Sequence, residues 1–242
     1  MVTVILNGYK RSGHFESQLN AIQNQTLKPS EILFWQNAGD TFDPNLTNLT
    51  THASCNKNLG VWARFAFALN AKTEYVCIFD DDTIPGSKWL ENCYNTIQTH
   101  DGLLGTIGVK FTSNQNYSGH VRIGWDVPNE QTEVVDIVGH SWFFRREDLS
   151  TFWRELPDTD HSPIVGEDMH FSYTLQKYTN KKTYVPPHPI NDREMWGSKP
   201  DSAWSIGTDS AAISRNPSNM GSMNNAFLNY INKGFKLVKD EK

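Results

Sequence analysis

The sequence predicts an α/β fold, a mostly parallel central sheet flanked by helices. Three observations carry that expectation. Apolar β-rich runs alternate with amphipathic ones from the start of the chain: VTVILN (2–7), SGHFESQLNAIQNQT (12–26), EILFWQN (31–37), GVWARFAFALNA (60–71) and YVCIF (75–79). A β-α-β-α-β order selects a doubly wound sheet, because parallel strands need a crossover, usually helical, between them. The third apolar run then ends in three consecutive aspartates, Asp80, Asp81 and Asp82. Sheets of this kind bind ligands beyond the carboxyl ends of their strands, so the position of the triplet matters more than its count.

Taken in order, the first helix carries Phe15, Leu19 and Ile22 at helical spacing, with Ser12 as its N-cap and Pro29 closing it. Residues 38–57 are rich in Asn, Thr and Asp, show no period and read as loop. Val61, Phe65 and Ala68 share one face of the second helix. Downstream, SKWLENCYNTIQ (87–98) reads as a helix, LLGTIGVKF (103–111) as a strand and 112–133 as a polar loop. VVDIVGHSWFF (134–144) reads as one or two strands broken at Gly139. GEDMHFSYTLQKY (166–178) opens with acids and continues as a helix, and KTYVPPHP (182–189) is a short strand ending in prolines. Residues 190–222 show no stable period, and SMNNAFLNYINKGFKL closes the chain with a helix. With no repeat and no linker, residues 1–242 form a single domain.

Bulk properties narrow the classes. The 242 residues include 38% hydrophobic and 20% charged side chains, an ordinary globular balance that can bury a sizeable core. Eight Trp, eight Tyr and thirteen Phe are generous; most fill the core, while such rings also line sugar and nucleotide clefts. A net charge of −5 offers no basic surface for nucleic acid or anionic lipid. Cys55, Cys77 and Cys93 are odd in number and form no CxxC pair, which argues against a zinc site or a disulfide framework. The start MVTVILNGYKRSGH lacks the form of a signal peptide and no apolar run reaches membrane length, so a soluble, cytoplasmic protein is expected. The Asn-x-Thr triplets at Asn45 and Asn48 then read as polar loop.

Closely placed carboxylates repel one another and raise each other's pKa, so the triplet calls for a cation. One Asp would be explained by a cap or turn; three at a strand end are not. A calcium loop wants acids at alternate positions with a Gly and a later Glu, which DDDTIPGSKWLE does not supply. A haloacid-dehalogenase-type phosphatase uses Asp-x-Asp-x-Thr on its first core strand, which FDDDTI misses by one place and by strand. The remaining reading is a divalent-metal clamp for a nucleotide diphosphate, since hard carboxylate oxygens suit Mn²⁺ or Mg²⁺. Neither a Walker loop nor GxGxxG is present.

NGYKR (7–11), NLGVWAR (58–64), FDDDTIPG (79–86) and GEDMHFSYTL (166–175), in that order, resemble the GT-A-fold nucleotide-sugar glycosyltransferases of the family-2 and exostosin-like types. The resemblance implies a metal-dependent transfer of a sugar from a nucleotide-diphosphate donor, UDP-linked, to an acceptor hydroxyl of a glycan. It implies that Tyr9 and Arg11 meet the base, ribose or diphosphate, and that Asn58 and Arg64 border the nucleotide pocket. Asp80 would lie by the ribose and, with Asp82, by the metal, with Asp81 as a further metal or donor-sugar contact. Asp168 would be the catalytic base, with Glu167 its substitute, and His188 would complete the metal sphere or touch phosphate. Gly139 to Trp142 would face donor sugar and acceptor, with Trp142 able to stack on a sugar ring. The first turn departs from the family in reading NGYKR, where members commonly carry Thr or Pro before Tyr-Asn.

In these terms residues 1–111 form a nucleotide-binding half, 112–189 an acceptor and catalytic half, and 190–242 a lid loop and C-terminal helix. The lid expectation rests on the little apolar material in 190–222 and on its glycines Gly197, Gly207 and Gly221. Its cations Arg193, Lys199 and Arg215 would close over a diphosphate, and Trp196 and Trp204 over a sugar. The rival readings are a phosphatase and a non-catalytic carbohydrate-binding protein.

Overall fold

The computed structural model describes residues 1–157, 164–199, 206–209, 212–213 and 216–240. Among them, strands β1 (Val2–Gly8), β2 (Glu31–Gln36), β3 (Thr51–Ser54) and β4 (Tyr75–Phe79) pair in parallel in the order β3-β2-β1-β4. β1 and β4 are buried almost throughout, which is why both read as continuous apolar runs rather than alternating ones.

Past β4 the sheet changes character. β5 (Gly102–Phe111), β6 (His120–Ile123), β7 (Glu133–Val135), β8 (Ile137–Arg145) and β9 (Lys182–Val185) complete it in the order β4-β8-β5-β9-β7, with β6 beside β5. β8 is inserted between β4 and β5 and runs antiparallel to both, so the mostly parallel expectation describes the N-terminal half and the rest is mixed.

Helices α1 (Ser12–Gln23), α2 (Pro44–Thr47), α3 (Ala63–Phe67), α4 (Trp89–Ile97), α5 (Asp148–Phe152), α6 (Glu167–Thr179) and α7 (Pro217–Asn232) surround the sheet. Phe15, Leu19 and Ile22 of α1 pack with Trp89, Leu90 and Cys93 of α4 over Val4, Leu6 and Phe79. A second cluster joins Phe65, Phe152, Phe171 and Leu175 to Val76, Ile78 and Trp142. Phe65 stacks on Phe152 at 4.7 Å between ring centroids. Burying one such side chain contributes about 1.5–3 kcal/mol, so these rings fix where α3 and α6 begin relative to β4.

Several expected boundaries move for local reasons. Residues 38–57 hold α2, with Pro44 at its start and Asp43 accepting from Asn45 N–H at 2.8 Å, and they also hold β3. β6 lies within the expected 112–133 loop. Ser12 is not the N-cap of α1 but its first residue; its N–H and hydroxyl both donate to Asp40, at 2.9 and 2.8 Å. α1 ends at Gln23, well before Pro29. The break in 134–144 falls at Asp136 rather than Gly139, because the Asp136 carboxylate accepts from Phe111 N and Val238 N, each at 2.6 Å. α7 starts inside the segment expected to lack structure. Cys77 and Cys93 are buried and Cys55 half-buried, all as free thiols. Among the described residues no helix is long and apolar enough to cross a membrane.

Candidate active site

Three pieces of chain converge beyond the carboxyl ends of the parallel strands: the turn after β1, the acidic turn after β4 and the head of α6. The acidic turn is pinned from beneath. Asp80 N–H donates to the His140 carbonyl at 3.0 Å, and the Thr83 hydroxyl donates to the same oxygen at 3.0 Å. Gln18, buried on α1, donates to the carbonyls of Asp80 and Thr83 at 2.6 and 2.8 Å. Gln18 is a site-supporting residue that sequence reading missed; a polar side chain between Phe15 and Leu19 on an apolar helix face was the available signal.

Two arginines answer the charge of the triplet. Arg11 reaches Asp81 at 2.5 Å and Asp82 at 3.2 Å, and its other edge grips Asp209 at 3.0 and 2.9 Å. Tyr9 N–H donates to Asp81 at 3.0 Å. Arg64, only 3% exposed, bonds Asp80 on one side and Glu167 at 2.8 Å on the other. Its guanidinium lies 4.4 Å from the ring centroid of Trp142. Arg64 therefore ties the acidic turn to the head of α6, on an aromatic floor.

Among the described residues negative charge remains in excess, since Asp80, Asp81, Asp82, Glu167, Asp168 and Asp209 gather around Arg11 and Arg64. Burial pushes the Asp81 carboxyl up to about 7 against the pull of Arg11. Burial likewise raises Glu167 to about 8 and Asp168 to about 6. Those values belong to the two neighbours as a unit, whose second proton leaves late because the first departure charges the site. Glu167 is the member held by the cation; Asp168 accepts from Met169 N–H at 2.7 Å and is paired with no cation among the described residues. Tyr117, whose hydroxyl is pushed upward by burial and then by Asp168 and Glu167, borders the same pair, and no sequence signal pointed to it.

Other expected site residues fall elsewhere. His188 is fully buried; Nδ1 bonds the Pro186 carbonyl at 2.8 Å and Nε2 accepts from Gly197 N–H at 3.2 Å. Burial holds it neutral, down to about 4, and both nitrogens are spent, so it is a core histidine and not a metal or phosphate ligand. Trp142, at 2% exposure under Arg64, is floor rather than sugar platform. Exposed Asn58 closes a loop, accepting from Asn37 Nδ2 at 3.0 Å and from Gly60 N at 2.8 Å. Arg193 lies over the Trp196 ring, at 5.3 Å. Trp196 is itself buried and donates to the Pro189 carbonyl at 2.8 Å.

The first part of the expected lid is accordingly packed down. Gly86 N–H reaches the Trp196 carbonyl, Lys199 N–H that of Ile84, and Lys199 pairs with Glu194. A Cβ on Gly197 would strike Thr106, so that glycine serves close packing and not a pivot. Arg215 and Trp204 lie outside the described residues. Among the described residues no three His, Cys, Asp or Glu side chains are arranged to hold a metal ion.

The sheet with its acidic turn at the end of β4 has the GT-A architecture of glycosyltransferases. Residues 19–154 match the family model described as glycosyl transferase family 2, and the chain belongs to that family. The match takes in Arg64 and the aspartates but stops short of Glu167 and Asp168.

Solved structures share the fold at low identity. S. aureus TarS 1–349 in complex with UDP is 16% identical with a TM-score of 0.56, over 78% of this chain and 58% of that one. The Pyrobaculum calidifontis mannosyltransferase PcManGT in complex with GDP-Man and Mn²⁺ is 16% identical with a TM-score of 0.51, over 98% and 76%. The chain spans 35% of a longer TarS structure, which it matches at 16% identity and a TM-score of 0.55 over 78% of its own length. No curated protein matches it by sequence.

Proposed function

We propose that this chain transfers a sugar from a nucleotide-diphosphate donor, UDP-linked, to an acceptor hydroxyl of a carbohydrate, with Mn²⁺ or Mg²⁺. The observation that carries the reading is Arg64, which bonds both Asp80 of the acidic turn and Glu167 beside Asp168. A donor-binding edge and a proton-accepting pair are thereby held at one fixed separation, as a transfer between two bound substrates requires. Family membership and structural neighbours in complex with UDP and with GDP-Man and Mn²⁺ support the class of chemistry.

Asp168 is the base. Its carboxylate forms no ion pair among the described residues, and burial, against the pull of nearby Arg64, lifts its proton affinity toward neutrality, where a general base works best. Glu167, tied to Arg64, orients the head of α6 and stands as its substitute. Tyr9, Arg11, Arg64 and Asp81 form the donor side. A hard divalent cation suits the carboxylate oxygens here, and Asp82 with Asp80 would hold it. Asp82 fits because its side chain is 16% exposed and only loosely bonded, to Arg11 at 3.2 Å and the Thr83 hydroxyl at 3.4 Å. Bound there, the cation would offset charge on the departing diphosphate.

A panel of nucleotide sugars, each with Mn²⁺ or Mg²⁺ and with a chelator control, tests the reading. Slow, metal-dependent hydrolysis of one donor is expected. Release of phosphate from a simple monoester with no donor turned over would instead make the chain a phosphatase. Sugar binding with neither activity would make it a carbohydrate-binding protein.

A further inference from the structure

Gln18 commits a buried amide to the backbone of the acidic turn. It lies on the apolar face of α1 beside Phe15 and Leu19 and is only 1% exposed. An amide in such surroundings destabilises the fold unless it is bonded. Its Nε2 donates to the carbonyls of Asp80 and Thr83, at 2.6 and 2.8 Å. Its oxygen accepts no bond among the described residues, so the side chain is held there for its donors.

Asp80 and Thr83 are the two ends of the turn. Thr83 N–H donates across it to the Asp80 carbonyl at 3.2 Å, and Asp80 N–H and the Thr83 hydroxyl both reach the His140 carbonyl. Asp81 and Asp82, between them, are bonded through their carboxylates alone among the described residues. Three crowded carboxylates push such a turn open. One planar amide across its end carbonyls limits how far those ends can part. α1 also begins beside Arg11, which bonds Asp81 and Asp82 about two helical turns ahead of Gln18. A single helix thus holds the carboxylates by its head and the carbonyls by its side.

We infer that Gln18 is a positioning residue, which presets the acidic turn for the divalent cation and diphosphate by holding its backbone rather than by touching either ligand. The inference rests on the transferase reading above. A turn closed for only part of the time binds its ligand more weakly by the fraction closed, a loss that more ligand overcomes.

Gln25, fully buried just past the end of α1, provides the control. Its amide donates to the Gly86 and Ala21 carbonyls at 2.7 and 3.0 Å and accepts from Leu90 N–H at 2.9 Å, on the segment that follows the turn. Gln18→Met keeps the length of the side chain and removes the donors. The Mn²⁺ concentration giving half-maximal UDP binding in calorimetry should rise about 10-fold or more in that variant. Saturating Mn²⁺ should bring UDP affinity back to within about twofold of wild type. Gln25→Met should lower the melting temperature at least as far, yet leave the Mn²⁺ requirement within about twofold. An unmoved requirement in Gln18→Met, an equal shift in Gln25→Met, or a loss that saturating Mn²⁺ does not recover would each overturn the assignment. Should Gln18→Met fail to fold, amide exchange in the wild-type chain carries the test. Without metal or UDP, the Thr83 amide should exchange about 10-fold or more slowly than those of Asp81 and Asp82. Protection that appears only with both ligands would show a turn closed by them and not by Gln18. A wild-type chain that binds no nucleoside diphosphate with Mn²⁺ would instead overturn the transferase reading.

Discussion

Arg64 and Glu167 stand 103 positions apart in the chain and 2.8 Å apart in space. Because the same guanidinium also meets Asp80, one buried cation sets the distance between the acidic turn and the head of α6. Removing one partner of a buried pair costs about 3–5 kcal/mol, since the other charge is left uncompensated. Arg64→Met should lower stability by that order in urea denaturation, and Glu167→Gln by less, because an amide oxygen still accepts a bond. The double variant should recover part of the sum. Strict additivity in this cycle would show that the two side chains do not interact.

Asp82 can be separated from its neighbours by the same logic. Asp80 and Asp81 bond Arg64 and Arg11 closely, while Asp82 is the loosely held carboxylate of the three. Asp82→Asn should therefore leave the fold and melting temperature near wild type and remove Mn²⁺-dependent UDP binding in calorimetry. An unchanged affinity would take Asp82 out of the metal site.

Proton affinity at the head of α6 gives a prediction about pH. Glu167 and Asp168 are raised by burial above their ordinary values of 4.5 and 3.8, so the folded chain binds more protons than the unfolded one up to about pH 8. Stability from this pair is thus present at the acid end and lost as pH rises through the folded values. Melting temperature of the metal-free protein should fall between about pH 5 and 8, with a flatter slope in Glu167→Gln/Asp168→Asn. Turnover should run the other way, rising with pH from about 6 to 8 as the base loses its proton. Asp168→Asn should cut transfer by about 10²-fold or more with donor affinity kept. A matching loss of donor binding would give Asp168 a binding role.

β1, β2 and β4 of the parallel half were legible because each is an apolar run set off by an amphipathic helix, whereas the exposed edge strand β3, THAS, carries no such run and was not. Nor was the antiparallel half. β8 enters between β4 and β5, although β5 precedes it in the chain, and no local pattern records a strand inserted from later in sequence. The aspartates were visible for the same reason as β4, being three charges at the end of a buried run. What balances them was less visible. Arg11 and Arg64 read as contacts for a nucleotide, yet in the folded chain they bond carboxylates up to 198 positions away. His188 misled because a histidine between prolines looks alike whether it faces a metal or the Trp89 and Trp196 rings. Asp209 sits in a stretch of Ser, Asn, Gly and Asp without period, and nothing in sequence singled it out.

Asp209 nonetheless takes a position with a consequence for ligand binding. Four of the five N–H groups of Arg11 are engaged, two by Asp209 and two by Asp81 and Asp82. A diphosphate arriving at Arg11 must displace some of these bonds, and those to Asp209 are the ones whose loss leaves the acidic turn intact. Asp209 is also the more exposed partner, with 39% of its side chain accessible against 12% and 16% for Asp81 and Asp82. An ion pair that open to water contributes about 0–1 kcal/mol, so Asp209→Asn should scarcely change the melting temperature. It should raise UDP affinity in the presence of Mn²⁺ by about 3- to 10-fold, the factor that releasing roughly 0.7–1.4 kcal/mol of competing interaction gives. Arg11→Met should lower the same affinity and abolish the effect of Asp209→Asn. A fall in affinity on changing Asp209 alone would show instead that Asp209 belongs to the bound state, holding Arg11 in place against the ligand.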